Sequence, residues 1–346
     1  MTHSGATDPD RAHVRRRPTL QKRQMPSSDL LSVNDPLDAD SAHVAILMCT
    51  KNGDRFLAQQ LDSIASQSYR NWVVWASDDW SVDGTLEILQ SYQASWGKNR
   101  LSIRMGPGKG LCANFLSMAC CKDIRGTHFA FADQDDVWDK DKLERALRWH
   151  KTISPKIPAL YGSRTVIVDQ DDRFLGYSPL FKRPPSFQNA LVQNIAGGNT
   201  MLFNSAARSL LQYAGDQIDV VTHDWWLYLI VSGVGGKIKY DPLPSLRYRQ
   251  HDRNEIGSGS AVFSRVRRLR NAYRGTLKSW HNAHATALRI VIPYFTADAQ
   301  ETFRMFESAR SAPLHLRLKL LRASGVYRQR HAGDLALGLA TLFGKI

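Results

Sequence analysis

Four short polar groups sit where apolar runs begin or end. Phe129-Ala130-Phe131-Ala132 runs straight into Asp133-Gln134-Asp135-Asp136. Alternate carboxylates at a strand end can hold a hard divalent cation through one or two oxygens and leave its other positions to diphosphate oxygens. The plainer reading of an isolated D-x-D-D is a solvated acidic helix cap. Trp72 to Ala76 ends in Ser77-Asp78-Asp79-Trp80-Ser81-Val82-Asp83-Gly84-Thr85. A carboxylate there can accept from a nucleobase imide or a ribose hydroxyl, or serve only an Asx turn, and Asp83 to Thr85 reads as a helix cap. His223-Asp224-Trp225-Trp226 opens an apolar helix or strand, so Asp224 is either a general base or an N-terminal cap. Tyr248-Arg249-Gln250-His251 offers cationic and imidazole groups for phosphate or metal, or is a solvated loop.

The elements that position these groups follow from periodicity. Val44 to Met48 reads as a buried strand, and Phe56, Leu57, Gln60, Leu61 and Ile64 follow at helical spacing around the loop Thr50-Lys51-Asn52-Gly53. Trp72 to Ala76, Leu101 to Met105 and Phe129 to Ala132 give three more strands, with helices at Leu86 to Tyr92 and Leu111 to Cys121 between them. Strands alternating with amphipathic helices are the pattern of a βαβ sheet. In such sheets the ligand lies beyond the carboxyl ends of the strands, so the acidic loops are expected to converge on one crevice. The loop Gly106-Pro107-Gly108-Lys109-Gly110 matches neither a Walker loop nor a dinucleotide fingerprint and reads as a turn.

Of the 346 residues, 43% are hydrophobic and 23% charged, which excludes a disordered, collagenous or disulfide-scaffold protein. The chain has no apolar run long enough to span a bilayer. Its formal charge of +14 is concentrated at one end: residues 261–346 carry 15 Lys or Arg against 4 Asp or Glu. Such a segment suits a polyanion, an anionic membrane surface or a phosphate-bearing substrate. Cys49, Cys112, Cys120 and Cys121 lack both framework and zinc spacing, and charges stand where a signal peptide needs its apolar core. A reduced, cytoplasmic protein is expected. Residues 1–42, polar and broken by four prolines, read as a disordered arm.

Taken in order, these segments resemble glycosyltransferase family 2 over roughly residues 44–255. The resemblance rests on Val44 to Gly53, on Ser77 to Thr85 as the D-D-x-S-x-D-G-T pattern with Trp80 in place of a small residue, on Ala132 to Trp138, and on His223 to Trp226. It implies an α/β GT-A fold with a mainly parallel, Rossmann-like sheet at 43–260, while the basic residues 261–346, beyond the resemblance, read as a helical C-terminal extension. It also implies roles. Cys49, Thr50, Asn52, Asp78, Asp79 and Asp133 would bind the nucleotide, with Asp79 on the base. Asp133 and Asp135, with His251, would hold Mn²⁺ or Mg²⁺ and the diphosphate. Gly197, Gly198, Asn199 and Trp225 would flank sugar and acceptor, and Asp224 would deprotonate the acceptor hydroxyl. Within the family, DQDDVW, HDWW and YRQH look most like bacterial rhamnosyltransferases that use dTDP-L-rhamnose for O-antigen or exopolysaccharide. Other deoxyhexoses, or UDP- or GDP-hexoses, stay open.

The basic, partly apolar stretches Val262 to Arg274 and His315 to Arg322 are either a packed appendage or a peripheral contact with anionic lipid on the inner face of the membrane. A polyprenyl-linked glycan acceptor fits the second. A nucleic-acid-binding protein is the reading from another class, but carboxylate clusters around the crevice would repel a phosphate backbone. A nucleotidyltransferase would need a Gly-rich, Lys- or Arg-bearing phosphate loop after the first strand, and a processive synthase would need membrane spans.

Overall fold

The computed structural model describes residues 42–251 and 276–346. The N-terminal arm, apart from Ala42, and the basic stretch Val262 to Arg274 lie outside the described residues. Strands β1 (Val44–Thr50), β2 (Trp72–Asp78), β3 (Leu101–Met105) and β4 (His128–Ala132) pair in parallel in the order β3-β2-β1-β4. Helices α1 (Asp54–Ala65), α2 (Thr85–Trp96) and α3 (Leu111–Cys120) connect them. All seven residues of β1 are buried because both faces of the sheet are covered. Val44, Ile46 and Met48 pack with Leu57 and Leu61 of α1, while Ala45, Leu47 and Cys49 face Phe115 and Met118 of α3. Each fully buried apolar side chain contributes about 1.5–3 kcal/mol.

Register sets the site. Thr50 lies opposite Asp78, Asp78 opposite Met105, and Met48 opposite Ala132. The carboxyl ends of the four parallel strands therefore form one rim, and the loops at 51–53, 79–84, 106–110 and 133–136 leave from it side by side.

The rest of the sheet is mixed. Following β4 come the two-residue β5 (Val137–Trp138), α4 (Lys142–His150), β6 (Ala159–Val168), β7 (Phe174–Tyr177), α5 (Phe187–Ala190), β8 (Leu202–Asn204), α6 (Ser205–Ala214), α7 (His223–Gly233) and β9 (Lys237–Arg249). Antiparallel β8 bridges β4 to β6, β6 pairs in parallel with β9, and β5 closes the far edge on β9. The segment opening at His223 is a helix, apolar on nearly all sides, with nine of its eleven residues buried at the centre of one core cluster. Among the described residues four helices follow β9: α8 (Thr276–Val291), α9 (Ala297–Ser311), α10 (Leu314–Ala323) and α11 (His331–Leu342). Ala285, Leu288 and Val291 of α8 and Phe303 and Phe306 of α9 join the cluster around α7, so these helices share the core of the sheet unit.

Candidate active site

A cleft of about 1530 Å³ opens above the strand rim. It brings together all but one of the residues singled out in the sequence: Cys49, Thr50, Asn52, Asp79, Asp133, Asp135, Gly197, Gly198, Asn199, Asp224, Trp225 and His251 line it. Asp78 does not. Its fully buried carboxylate accepts from Thr50 Oγ1 at 2.8 Å, from the Ser81 backbone N–H at 2.8 Å and from Ser81 Oγ at 2.6 Å. Consecutive side chains at a strand end point opposite ways, so of the pair only Asp79 faces the cleft and Asp78 builds the turn beneath it.

Asp79 is clamped by the glycine-rich loop, which is more than a plain turn. Its Oδ1 accepts from the backbone N–H of Gly108 at 2.7 Å, and its Oδ2 from that of Gly110 at 3.0 Å. Both glycines hold left-handed φ angles, +68° and +88°, that a side chain rarely adopts. Trp80 is also left-handed, and its ring, 59% exposed, reaches back to the Gly106 carbonyl at 3.2 Å rather than into the cleft. Lys51 and Gln134 close the floor. The Lys51 N–H donates to Gln134 Oε1 at 2.8 Å and Gln134 Nε2 donates to the Lys51 carbonyl at 3.0 Å, while Lys51 Nζ bonds the carbonyls of Asp79 and Trp80. Burial, with the charges of Asp133 and Asp79 beside it, pushes the Cys49 thiol well up, so it stays protonated.

On the neighbouring wall Asp135 Oδ2 lies 2.7 Å from His251 Nε2, and the imidazole stacks on Phe56 at 5.2 Å. Arg249 fixes the end of β9 that carries His251: its buried guanidinium donates to the carbonyls of Asp135 and Gln170 and to Gln59 Oε1. Among the described residues no group of three or more His, Cys, Asp or Glu forms a closed metal cage. A carboxylate paired with an imidazole, and a second carboxylate, Asp133, in the same cleft, is an open donor set. It fits a hard divalent cation whose shell is completed by diphosphate and water.

A further part of the cleft lining comes from α7 and the turn Gly198–Thr200. Asp224 Oδ2 accepts from the Gly198 N–H at 3.0 Å and Oδ1 from the Trp225 N–H at 2.7 Å, which fixes the carboxylate at the start of α7. Gly198 allows this approach: a Cβ there would stand 2.5 Å from His223 Nε2 and 3.3 Å from Asp224 Cβ. His223 is buried against Phe115 and Phe131, which lowers its pKa to about 4 and keeps it neutral. Asn199 donates 2.7 Å to Asp136 Oδ2. Burial first, then the charges of Asp133 and Asp135, raise the Asp136 carboxyl well above its ordinary value. Trp225 Nε1 donates to the Ala190 carbonyl at 2.6 Å.

Gln134 and Trp280 are among the cleft residues that sequence reasoning missed. Gln134 stood inside the acidic segment and drew no role. Trp280, from α8, lines the cleft and packs edge-on against Trp225 at 6.0 Å, with His284 4.7 Å from the same indole. The signal was a Trp and a His one turn apart, which share a helix face.

Residues 45–211 match the model of glycosyl transferase family 2. The dTDP-rhamnosyl transferase RfbG of Shigella flexneri is 26% identical over 64% of this chain and 78% of its own. The UDP-Glc:alpha-D-GlcNAc-diphosphoundecaprenol beta-1,3-glucosyltransferase WfaP of Escherichia coli is 23% identical over 60% of this chain and 77% of its own. Among solved structures, S. aureus TarS with UDP-GlcNAc aligns over 88% of each chain at 16% identity and a TM-score of 0.48. The loops at the ends of the four parallel strands lie within residues 45–211, the part of the chain that matches glycosyl transferase family 2.

Proposed function

We propose that the protein transfers a sugar, L-rhamnose from dTDP-L-rhamnose, to a glycan or polyprenyl-linked glycan in cell-surface polysaccharide synthesis, with inversion at the anomeric carbon. The observation that carries the reading is one cleft lined by Asp135, His251 and Asp224 together. The rhamnosyl donor is supported by the likeness to RfbG, and a lipid-linked acceptor by the name of WfaP. A UDP- or GDP-hexose donor is the second reading.

In the proposed reaction Asp224 takes the proton of the acceptor hydroxyl as its oxygen bonds to the anomeric carbon. The bond from that carbon to the diphosphate oxygen breaks at the same time, and its electron pair leaves with the nucleoside diphosphate. One displacement inverts the configuration. Asp79 accepts from the base, Thr50, Asn52 and Cys49 lie along the nucleotide, and Gly197, Gly198, Asn199 and Trp225 shape the sugar and acceptor side. A Mn²⁺ or Mg²⁺ ion held by Asp135 and His251, with Asp133 beside them, would neutralise charge on the leaving diphosphate. Residues 43–260 form the catalytic unit in this reading, with α8 of the C-terminal extension adding Trp280 to the acceptor wall. No described helix is long and apolar enough to cross a membrane. In this reading the protein works at the cytoplasmic face and meets a membrane-held acceptor by peripheral contact. The test is release of nucleoside diphosphate from dTDP-L-rhamnose, UDP-glucose and UDP-galactose, with Mn²⁺ or Mg²⁺ and with chelator. Metal-dependent turnover of dTDP-L-rhamnose supports the reading, and turnover of another donor replaces its sugar.

A further inference from the structure

Surface helices turn their apolar stripe inward, and α11 does the reverse. Leu335, Leu339 and Phe343, spaced by four residues on one face, are 73%, 57% and 74% exposed, with exposed Ala332 and Ala336 alongside. The buried residues within α11 are only Leu337 and Thr341. Arg317, near the start of α10, donates to the Leu342 carbonyl at 2.8 Å. That bond sets the exposed Leu314 and Leu316 at the same end of the hairpin as Phe343.

The hairpin that carries the stripe is basic. Residues 312–346 hold six Lys or Arg and one acidic residue, Asp334, whose carboxylate is bound to Arg183 at 2.8 Å. Lys319, Arg322 and Arg330 are exposed. An apolar stripe with basic neighbours matches the interface of an anionic bilayer, where side chains enter the acyl boundary and cations meet headgroups. A second copy of the chain fits less well, because a two-fold contact would set the basic flanks against each other.

The hairpin is tied to the cleft. Arg183 Nη1 donates to the Arg328 carbonyl, Asn189 Nδ2 to the Tyr327 carbonyl and the Gln329 N–H to Gln193 Oε1. The segment from Arg183 to Gln193 runs directly into Asn194 to Gly197, which line the cleft on its acceptor side. We propose that the face of α10 and α11 bearing Leu335, Leu339 and Phe343 docks on an anionic membrane surface and presents the acceptor wall to lipid-borne substrate. The proposal rests on the reading of a lipid-linked acceptor, but it is tested without donor or acceptor, so the two fail separately.

The experiment is flotation of the full chain with phosphatidylcholine vesicles, with and without phosphatidylglycerol, comparing wild type with the double variant Leu339→Glu/Phe343→Glu. Wild type is expected to float only with phosphatidylglycerol, and the variant to lose about tenfold of the bound fraction. Because both side chains are exposed, the variant should keep its melting temperature and its rate of nucleoside diphosphate release without vesicles. Absence of wild-type flotation at low salt overturns the proposal, as does flotation of the variant equal to wild type. A wild-type dimer that the variant lacks, with no flotation, assigns the face to a contact between copies and overturns it too.

Discussion

Asn199 and Asp136 meet through a 2.7 Å hydrogen bond that ties the Gly198–Thr200 turn to the acidic strand end. Among the described residues Asp136 Oδ1 is buried with no partner, and Asn199 is the hydrogen-bond donor that its side chain uses there. Asn199→Ala should cost about 1–3 kcal/mol, the penalty of stranding a buried acceptor. Asn199→Asp should cost more, since it adds a second carboxylate at the same place. Urea titrations of both variants check the order, and equal stability of wild type and Asn199→Ala would remove the link.

Asp224 and Asp135 should separate when each is replaced. Asp224→Asn is expected to slow transfer by about 10²–10⁴-fold, the usual contribution of a positioned base, while calorimetric donor affinity stays put. Asp135→Asn and His251→Ala should weaken both donor affinity and the response to Mn²⁺. Unchanged turnover in Asp224→Asn would end its assignment as base.

Gly198 sets the position of the Asp224 carboxylate. The Cβ added in Gly198→Ala overlaps His223 Nε2, so the start of α7 must shift and carry Asp224 with it. A fall in kcat of about tenfold or more, at constant donor Kd, is expected, since small misplacements of reacting groups are costly. Donor titration alongside initial rates distinguishes this from general unfolding.

Trp280→Ala should raise the acceptor KM and leave donor affinity alone, because the indole reaches the cleft beside Trp225 rather than near Asp79. Initial rates at varied acceptor, with donor saturating, read this split.

Acid should unfold the protein early. Burial lowers the pKa values of His128, His223 and His284 to about 4 and of His150 and His281 to about 3, with neighbouring charges adding to it in His150 and His281. The unfolded chain protonates these rings near pH 6.5, so it binds more protons than the folded chain below that pH. Their contribution is complete above about pH 6.5 and falls away as the pH drops toward 4, each ring costing about 1.4 kcal/mol per pH unit. Melting temperatures measured from pH 7.5 down to 4.5 should fall, and a flat profile over pH 5–6.5 would contradict the burial of these rings.

The parallel half of the sheet was legible because β1 to β4 are short apolar runs whose neutral interiors give way to polar loops, and the chain order fixes which loops share a rim. Asp79, Asp135 and Asp224 were legible for the same reason, each standing where a run ends or begins. The rest depended on tertiary contacts that local pattern does not carry. The two residues of β5 are too few to show a period. Asp78 and Asp79 are equivalent as neighbours in sequence, and only the twist of the strand end decides which one is enclosed. Trp280 belongs to a basic segment whose charge drew attention away from its aromatic face.

The placement of His251 bears on when the site comes into being. Its imidazole meets Asp135 across 116 residues of chain, and Trp280 reaches Trp225 later still. A polypeptide emerging from the ribosome can pair β1 through β4 and hold the acidic strand end long before β9 or α8 exists. Contacts this distant in sequence close late in folding. The parallel sheet can therefore form while the cleft is still incomplete, and the finished site appears only at the end of assembly.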